Sequence, residues 1–305
     1  MPPLAAFFCV AAAAAAPVPL CAPFASQNAA GCDYAVASLA TAPSLQEFEL
    51  FLRTLARVDP SRPVYAAVDG KAHAWLSLQK FHPTVHPINC LDKYLSEARD
   101  QLKHHAKLWL ELQLEKTTAM AAALDAGHAG VVFADADVIW TNRLPAMGPE
   151  HLGVSRCDCS RHTYRRYGMF NGGMVFARSK DVLEIWRKES QTSRYYEQSA
   201  LEDVVKQMPH FFIPQQADVA GLYLLPSHSR DNGDHRGDLT VGGEGNATAL
   251  WRGDPLLSVH VHIIPGPNYA RWAHPAADHI TGVLLRTSAR EDLCAVHAGW
   301  CDGRR

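Results

Sequence analysis

The ten residues Val131–Trp140, VVFADADVIW, decide how this chain reads. Val131-Val132-Phe133-Ala134 is short, apolar and β-branched, with no polar position to turn toward water. That is the pattern of a central parallel strand covered on both faces. Asp135 and Asp137 follow it directly. In open α/β sheets, ligands sit beyond the carboxyl ends of the strands, where loops converge, so the two aspartates stand at the productive edge. On both sides of this strand the chain alternates strand-like and helix-like runs. Upstream, Tyr34–Ala40, Pro63–Asp69 and Thr84–Asn89 read as strands. Ser44, with Glu47 at capping-box spacing, opens a helix carrying Phe48, Phe51, Leu52 and Leu55 on one face. Lys71–Gln79 reads as a second helix, and Lys93–Ala126 as a long helical region, whole or broken in its middle, ended by Gly127. Downstream come a strand at Gly173–Ala177, helices at Lys180–Lys188 and Leu201–Lys206, and a Gly-, Asp- and Asn-rich loop over Ser227–Gly253. The expected fold is α/β, a single domain with a central, mostly parallel, Rossmann-like sheet flanked by helices.

The 305 residues carry 29 Lys plus Arg against 31 Asp plus Glu, a formal charge of −2. A nucleic-acid binder needs surplus positive charge to displace phosphate counterions, so no nucleic-acid partner is expected. With 48% apolar and 20% charged residues, the composition is that of a globular chain. It contains no Gly-x-Gly-x-x-Gly fingerprint, phosphate-binding P-loop, His-Glu-x-x-His or Gly-x-Ser-x-Gly motif.

Before Asp33 there is no charged side chain, and Leu4–Ala16 is an apolar, alanine-rich run ended by Pro17. Its length suits the apolar region of a secretory signal better than a membrane span, which needs about 20 residues. Residues 1–25 are therefore expected to be a signal peptide or membrane anchor, with an organellar transit peptide as the alternative, and residues 26–305 the folded domain. Asn246-Ala247-Thr248 is a glycosylation sequon. Both features point to the lumen of the secretory pathway. Outside the leader, Cys32, Cys90, Cys157, Cys159, Cys294 and Cys301 could form three disulfides or remain buried thiols.

Two carboxylates one residue apart on a turn leaving a strand can face one hard divalent cation, Mn²⁺ or Mg²⁺ rather than zinc. The cation would bridge to a diphosphate. The bland alternative is a pair of solvated or capping aspartates. The apolar flanks weigh against it, because charges held between hydrophobic segments need a partner to offset desolvation.

From Lys116 to Arg271 the chain resembles the nucleotide-diphospho-sugar transferases of glycosyltransferase family 77, which includes plant cell-wall xylosyl- and arabinosyltransferases. Asp135-Ala136-Asp137-Val138-Ile139-Trp140 is similar to that family's Asp-x-Asp-Val-Val-Trp segment, and Lys116 matches the Lys of its preceding helix. Phe170-Asn171-Gly172-Gly173 resembles its Phe-Asn-Ser-Gly strand start, with Gly172 where Ser is usual, and Trp186 follows at the expected distance. Leu225-Pro226, Asn232-Gly233 and the segment Ser258–His262 with Gly266 are similar to its later motifs. Tyr34–Glu115 fits only by its alternation of strands and helices. The resemblance implies a GT-A fold and a retaining, metal-dependent transferase. It would move a pentose or hexose from a UDP-sugar or other nucleotide-sugar donor to a glycan or glycoprotein acceptor, with the Golgi as its compartment.

The resemblance also implies site roles. Asp135, Asp137 and His260 would hold the metal, with His262, standing where the family has Asn, in reserve. Lys116 and Arg271 would meet the diphosphate; the plain reading of Lys116 is an apolar stem laid along an amphipathic helix. Asn171, Gly172 and Gly173 would approach the sugar closely, or form an ordinary turn. Where the family has an Asp-Gln pair this chain has Glu202-Asp203, either of which would face the positive charge developing on the sugar. Arg161, Arg165 and Arg166 read as a solvated loop, with a contact to acceptor or phosphate as the alternative. Two other classes compete: a haloacid-dehalogenase-type phosphatase, whose first motif is also a strand ending in Asp-x-Asp, and a non-catalytic lumenal sugar-binding protein.

Overall fold

The computed structural model describes residues 32–94, 102, 104–227, 229–243, 247–263 and 274–301. The leader 1–25, the sequon residue Asn246, Gly266 and Arg271 lie outside them. Among the described residues no helix is long and apolar enough to cross a membrane.

A seven-stranded sheet forms the centre, in the order β3-β2-β1-β4-β7-β6-β8. Its first half consists of β1 (Ala35–Ala40), β2 (Val64–Val68), β3 (Val85–Asn89) and β4 (Val131–Ala134), all mutually parallel. Helices α1 (Leu45–Val58), α2 (Gly70–Leu78) and α3 (Ala106–Asp125) lie along the chain between them. The second half adds β6 (Leu152–Arg156), β7 (Phe170–Ala177) and β8 (His210–Ile213). There β7 runs antiparallel to β4 and β6, while β6 and β8 pair in parallel. Four of the six pairings are parallel, as the apolar strands led one to expect.

Alternate residues of β4 feed opposite faces of the sheet, as the two-residue period of a strand requires. Val132 and Ala134 join the cluster holding Phe48, Phe51 and Leu52 of α1, whereas Val131 and Phe133 pack with Ala119, Met120 and Ala123 of α3. Helix α1 also turns Leu50 into a third cluster with Ile139, Val259 and Ile280, which packs the helix against a smaller sheet. That sheet has the order β5-β13-β9, from β5 (Val138–Trp140), β9 (Val219–Ala220) and β13 (Ser258–His260). Its register sets His260 beside Val138 on one side and Ala220 on the other.

The remaining helices are α4 (Arg161–Tyr167), α5 (Lys180–Ser190), α6 (Tyr196–Val204), α7 (His274–Leu284) and α8 (Arg290–Val296). Several expectations need correction. The arginines Arg161, Arg165 and Arg166 lie on α4, capped by the Ser160 hydroxyl, and not in a loop. Helix α6 starts a turn earlier than its Leu201–Lys206 reading, because Glu197 and Ala200 are already buried. Asn171 and Gly172 lie inside strand β7. The segment Ser227–Gly253 is not a plain loop: β10 (Leu239–Gly242) and β11 (Thr248–Trp251) pair antiparallel, with β12 (Asp254–Pro255) beside them. Its glycines masked Leu239, Ala249 and Trp251, which are buried in the third cluster. Cysteines pair as Cys157–Cys159 and Cys294–Cys301, and Cys32 is also disulfide-bonded. Cys90 is a free thiol, pushed up to about 11 by burial, so the six do not make three bridges among themselves.

His82, in the turn before β3, is buried and accepts a hydrogen bond at Nδ1 from Thr84 N at 3.2 Å. Burial lowers its pKa from 6.5 to about 4. Above pH 6.5 the ring is neutral in both folded and unfolded chains and adds nothing to the pH dependence. As pH falls below 6.5 the unfolded chain takes up a proton that the native one refuses, so stability declines until the native ring titrates near 4. The loss is roughly 3 kcal/mol. Urea unfolding of the His82→Asn variant, which keeps an acceptor near Nδ1, should show a pH 6.5-to-4 decline smaller by about that amount. An unchanged decline would show that acid sensitivity lies elsewhere.

Candidate active site

Strand β4 stops at Ala134 because the chain turns there: Asp135 N donates to Gly173 O at 2.9 Å and Val138 N donates to Asp135 O at 3.0 Å. The turn points two carboxylates past the edge of the main sheet before the chain enters β5. Strand β13, paired antiparallel to β5, delivers His260 to the same spot. His260 Nε2 lies 3.2 Å from Asp137 Oδ1 and 3.6 Å from Asp135 Oδ2. One ligand atom from each of Asp135, Asp137 and His260 falls within 4.8 Å of the other two. Two hard oxygens and one imidazole nitrogen form a donor set suited to Mn²⁺ or Mg²⁺.

The electrostatics agree with that fit. Burial opposes a charge on His260, yet the carboxylate of Asp137, with Asp218 and Asp135, overrides it and holds the imidazole pKa well above 6.5. The same negative field would favour a dication. Backbone shape contributes too. A Cβ on Gly173 would come within 2.2 Å of His260 Cε1 and 2.8 Å of Asp135 Oδ2, so only glycine leaves room for the three donors to meet.

Lys116 reaches this cluster from α3. Its ammonium is buried, 3.2 Å from Asp135 Oδ1, 2.9 Å from Glu197 Oε1 and 3.1 Å from Gly172 O. Burial alone would lower its pKa, but Asp135 and Glu197 raise it, so the charge is kept. All three N–H donors are thereby engaged. Through these contacts Lys116 joins the end of β4, β7 and the start of α6 at the edge of the cleft.

Glu202 and Asp203 are not brought to the cluster. Glu202 accepts from Met169 N at 2.8 Å and pairs with Arg194, while Asp203 is exposed toward Lys206. Glu197 stands there instead, 6% exposed, and a Cβ on Gly172 would lie 3.1 Å from its Oε1. Glu197-Gln198 keeps the acid-amide order expected of the Asp-Gln pair, a signal present in the sequence and passed over. Tyr196, just before it, has φ +45°, a conformation costly for a bulky residue and often found at functional sites. Asn171 is placed in the centre but turned away from open space: its Nδ2 donates to Asp218 Oδ2 at 2.8 Å, and its Oδ1 accepts from Gly173 N at 3.0 Å.

His262 also approaches Asp137, with Nδ1 3.2 Å from Oδ2, and makes a shorter 2.7 Å contact to Glu47 Oε1. Glu47 is thus a site residue and not the expected capping partner of Ser44. The hydroxyl of Ser44 instead accepts from Thr41 N and donates to Thr41 O. A cleft of about 180 Å³ opens above the carboxylates, between Leu39 and Thr41 at the end of β1 and Trp109 on α3.

Residues 61–304 match the sequence profile of the family described as nucleotide-diphospho-sugar transferase. No curated protein sequence matches the chain significantly. Among solved structures, the glycosyltransferase GlyE of Streptococcus pneumoniae TIGR4 is similar at 15% identity and a TM-score of 0.42, over 62% of this chain and 48% of that one. Mouse xyloside xylosyltransferase 1 is similar at 13% identity and 0.41, over 62% and 87%. The bifunctional glycosyltransferase WbbM is similar at 12% identity and 0.49, over 88% and 52%. The chain spans about half the length of GlyE and of WbbM.

Proposed function

The chain belongs to the nucleotide-diphospho-sugar transferase family, and from that premise we propose that it is a retaining glycosyltransferase using a metal-bound UDP-sugar as donor. The observation that carries this reading is the convergence of Asp135, Asp137 and His260 at the strand edge, beside an open cleft. These three residues would hold Mn²⁺ or Mg²⁺. When bound, the dication supplies Lewis-acid neutralisation of the departing diphosphate.

The chain's own residues do the rest. Lys116 fixes the orientation of Asp135 and of Glu197 through its two short contacts. Glu197, beside Gly172, takes the role first assigned to Glu202 or Asp203, offsetting positive charge that develops on the transferred sugar. Glu47 steadies His262 at the rim of the cleft. Arg271 remains assigned to the diphosphate.

A closer kinship to the plant cell-wall xylosyl- and arabinosyltransferases, a glycan or glycoprotein acceptor and a Golgi lumenal address with a leader at 1–25 complete the proposal. Disulfides at Cys157–Cys159 and Cys294–Cys301 support an oxidising compartment. Membership of the transferase family removes the phosphatase reading. Incubation with Mn²⁺ and a panel of nucleotide sugars should release nucleoside diphosphate from one of them, and EDTA should stop it. Donor binding without release would replace the enzyme with a sugar-nucleotide-binding protein; neither binding nor release would sink the proposal.

A further inference from the structure

We propose that the exposed arginine face of α4, together with the tyrosine row that leads from it to Glu197, receives the acceptor, and that this acceptor is a glycan carrying uronate sugars. The proposal rests on the transferase reading of the chain and adds the class of its second substrate.

Helix α4 turns cations outward. Arg161, Tyr164 and Arg165 share one face at helical spacing, His162 and Arg166 the adjoining one, and all five are exposed, while Thr163 is buried beneath them. The guanidiniums of Arg161, Arg165 and Arg166 have no ion-pair partner among the described residues, and Glu202 and Asp203 on α6 are already engaged by Arg194 and Lys206. In a chain of net charge −2, that is a local concentration of unneutralised positive charge. Helix electrostatics explain part of it. Arg165 and Arg166 stand in the last turn, where a cation complements the negative end of the helix. Arg161 does not fit that account: it directly follows the Ser160 cap, at the positive end, where a cation is disfavoured. Its charge serves something outside the helix.

The face is tied to the catalytic corner by rings. The Arg166 guanidinium lies 5.0 Å from the centre of the Tyr167 ring, Tyr167 meets Tyr195 edge-on at 4.6 Å, and Tyr195 meets Tyr196 at 5.0 Å. Glu197 follows, against Lys116 and Gly172. Gln198 braces the same path, donating from Nε2 to Tyr167 O at 3.2 Å. The three tyrosines are partly buried, so each keeps some surface open. A phenol ring is rigid, with apolar faces and a polar tip, which suits the C–H faces and hydroxyl rim of a pyranose. The permanent cations beyond the row are all arginine. Its planar fork grips a carboxylate through two parallel hydrogen bonds, where lysine offers a point charge. A neutral glycan would leave these guanidiniums unused. A uronate-bearing one would occupy them while a neighbouring sugar lay on the rings beside Glu197.

Calorimetric titration of the full chain with oligoglucuronate, in the absence of donor, tests the assignment. The acid should bind, and its methyl ester, the same sugar without the charge, should bind at least about 10-fold more weakly, with affinity for the acid falling as salt is raised. The triple variant Arg161→Gln, Arg165→Gln, Arg166→Gln should lose about 10-fold or more in affinity for the acid, since exposed ion pairs contribute modestly one by one and add up as a group. Its thermal midpoint and Mn²⁺ affinity should stay at wild-type values. In transfer assays it should show a raised KM for the acidic acceptor with kcat and donor KM unchanged. Equal binding of acid and ester, binding of neither, or wild-type affinity in the variant overturns the proposal. So does tighter binding to a sulfated neutral oligosaccharide or to phosphatidylserine vesicles, either of which would give the surface a different partner. The comparison of acid with ester uses the unaltered protein and holds whether or not the variant folds. Uronate capture without nucleoside diphosphate release from any nucleotide sugar would refute the transferase reading, whereas release without capture would refute this proposal alone.

Discussion

Changing Asp137 to alanine should abolish metal-dependent donor binding and reduce nucleoside diphosphate release by at least about 10³-fold, a loss of roughly 4 kcal/mol of transition-state stabilisation. Asp137 is the least exposed of the three candidate ligands, with a side chain 8% accessible, and it meets both His260 and His262 at 3.2 Å. Without its carboxylate, Asp135 and His260 provide one oxygen and one nitrogen, too few for a hard dication that prefers several oxygens. The fold should survive, because the strands flanking the turn are buried by their own apolar side chains. Donor-release kinetics and Mn²⁺ titration of the variant check this, and turnover at the wild-type level would refute the assignment of the site.

Changing Lys116 to methionine should have a comparable effect on activity and a much larger one on stability. The substitution preserves the length and apolar body of the side chain but removes the charge that two carboxylates share. Glu197 would be left buried with no cation, and Asp135 would lose the contact that fixes its Oδ1. Breaking a buried ion pair by deleting one partner costs about 3–5 kcal/mol, because the remaining charge is stranded in a poor solvent. Urea unfolding should show that loss, and kcat/KM should fall as Asp135 swings free. A variant as stable as wild type would mean that Lys116 merely lies along the helix, the plain reading its sequence position also allowed.

How much was legible in the sequence depended on how local the information was. β4 and the turn after it announce themselves within ten residues, because an uninterrupted apolar run has one comfortable place in an α/β sheet and charges at its end have few. The acidic pair was therefore readable locally, its imidazole partner only through the resemblance, and the structure brings all three together. Glu47 was hidden by a stronger local explanation: three residues after a serine, it looks like a helix cap, and only the arrival of His262 from 215 residues away reveals its other use. Asp218 carried no motif at all. It is approached by Asn171, 47 residues away in the chain, and by His260 from β13, and no spacing rule anticipates that. Glu197 was missed for a backbone reason, since a tyrosine with positive φ starts the helix earlier than the hydrophobic spacing suggests. Local chemistry was visible; the supporting shell, built from remote segments, was not.

The pairing of β13 with β5 has a consequence for how the protein comes into being. A nascent chain leaving the ribosome delivers the two aspartates while the imidazole that completes their triangle is still inside the exit tunnel or unmade. About two-fifths of the sequence lies between Asp137 and His260 and must follow the aspartates out before the corner can close, and the late strand must then slot between two earlier ones. Assembly of the catalytic corner is consequently a late event in biogenesis, and capture of a dication would act as a seal on a finished fold rather than a seed for it.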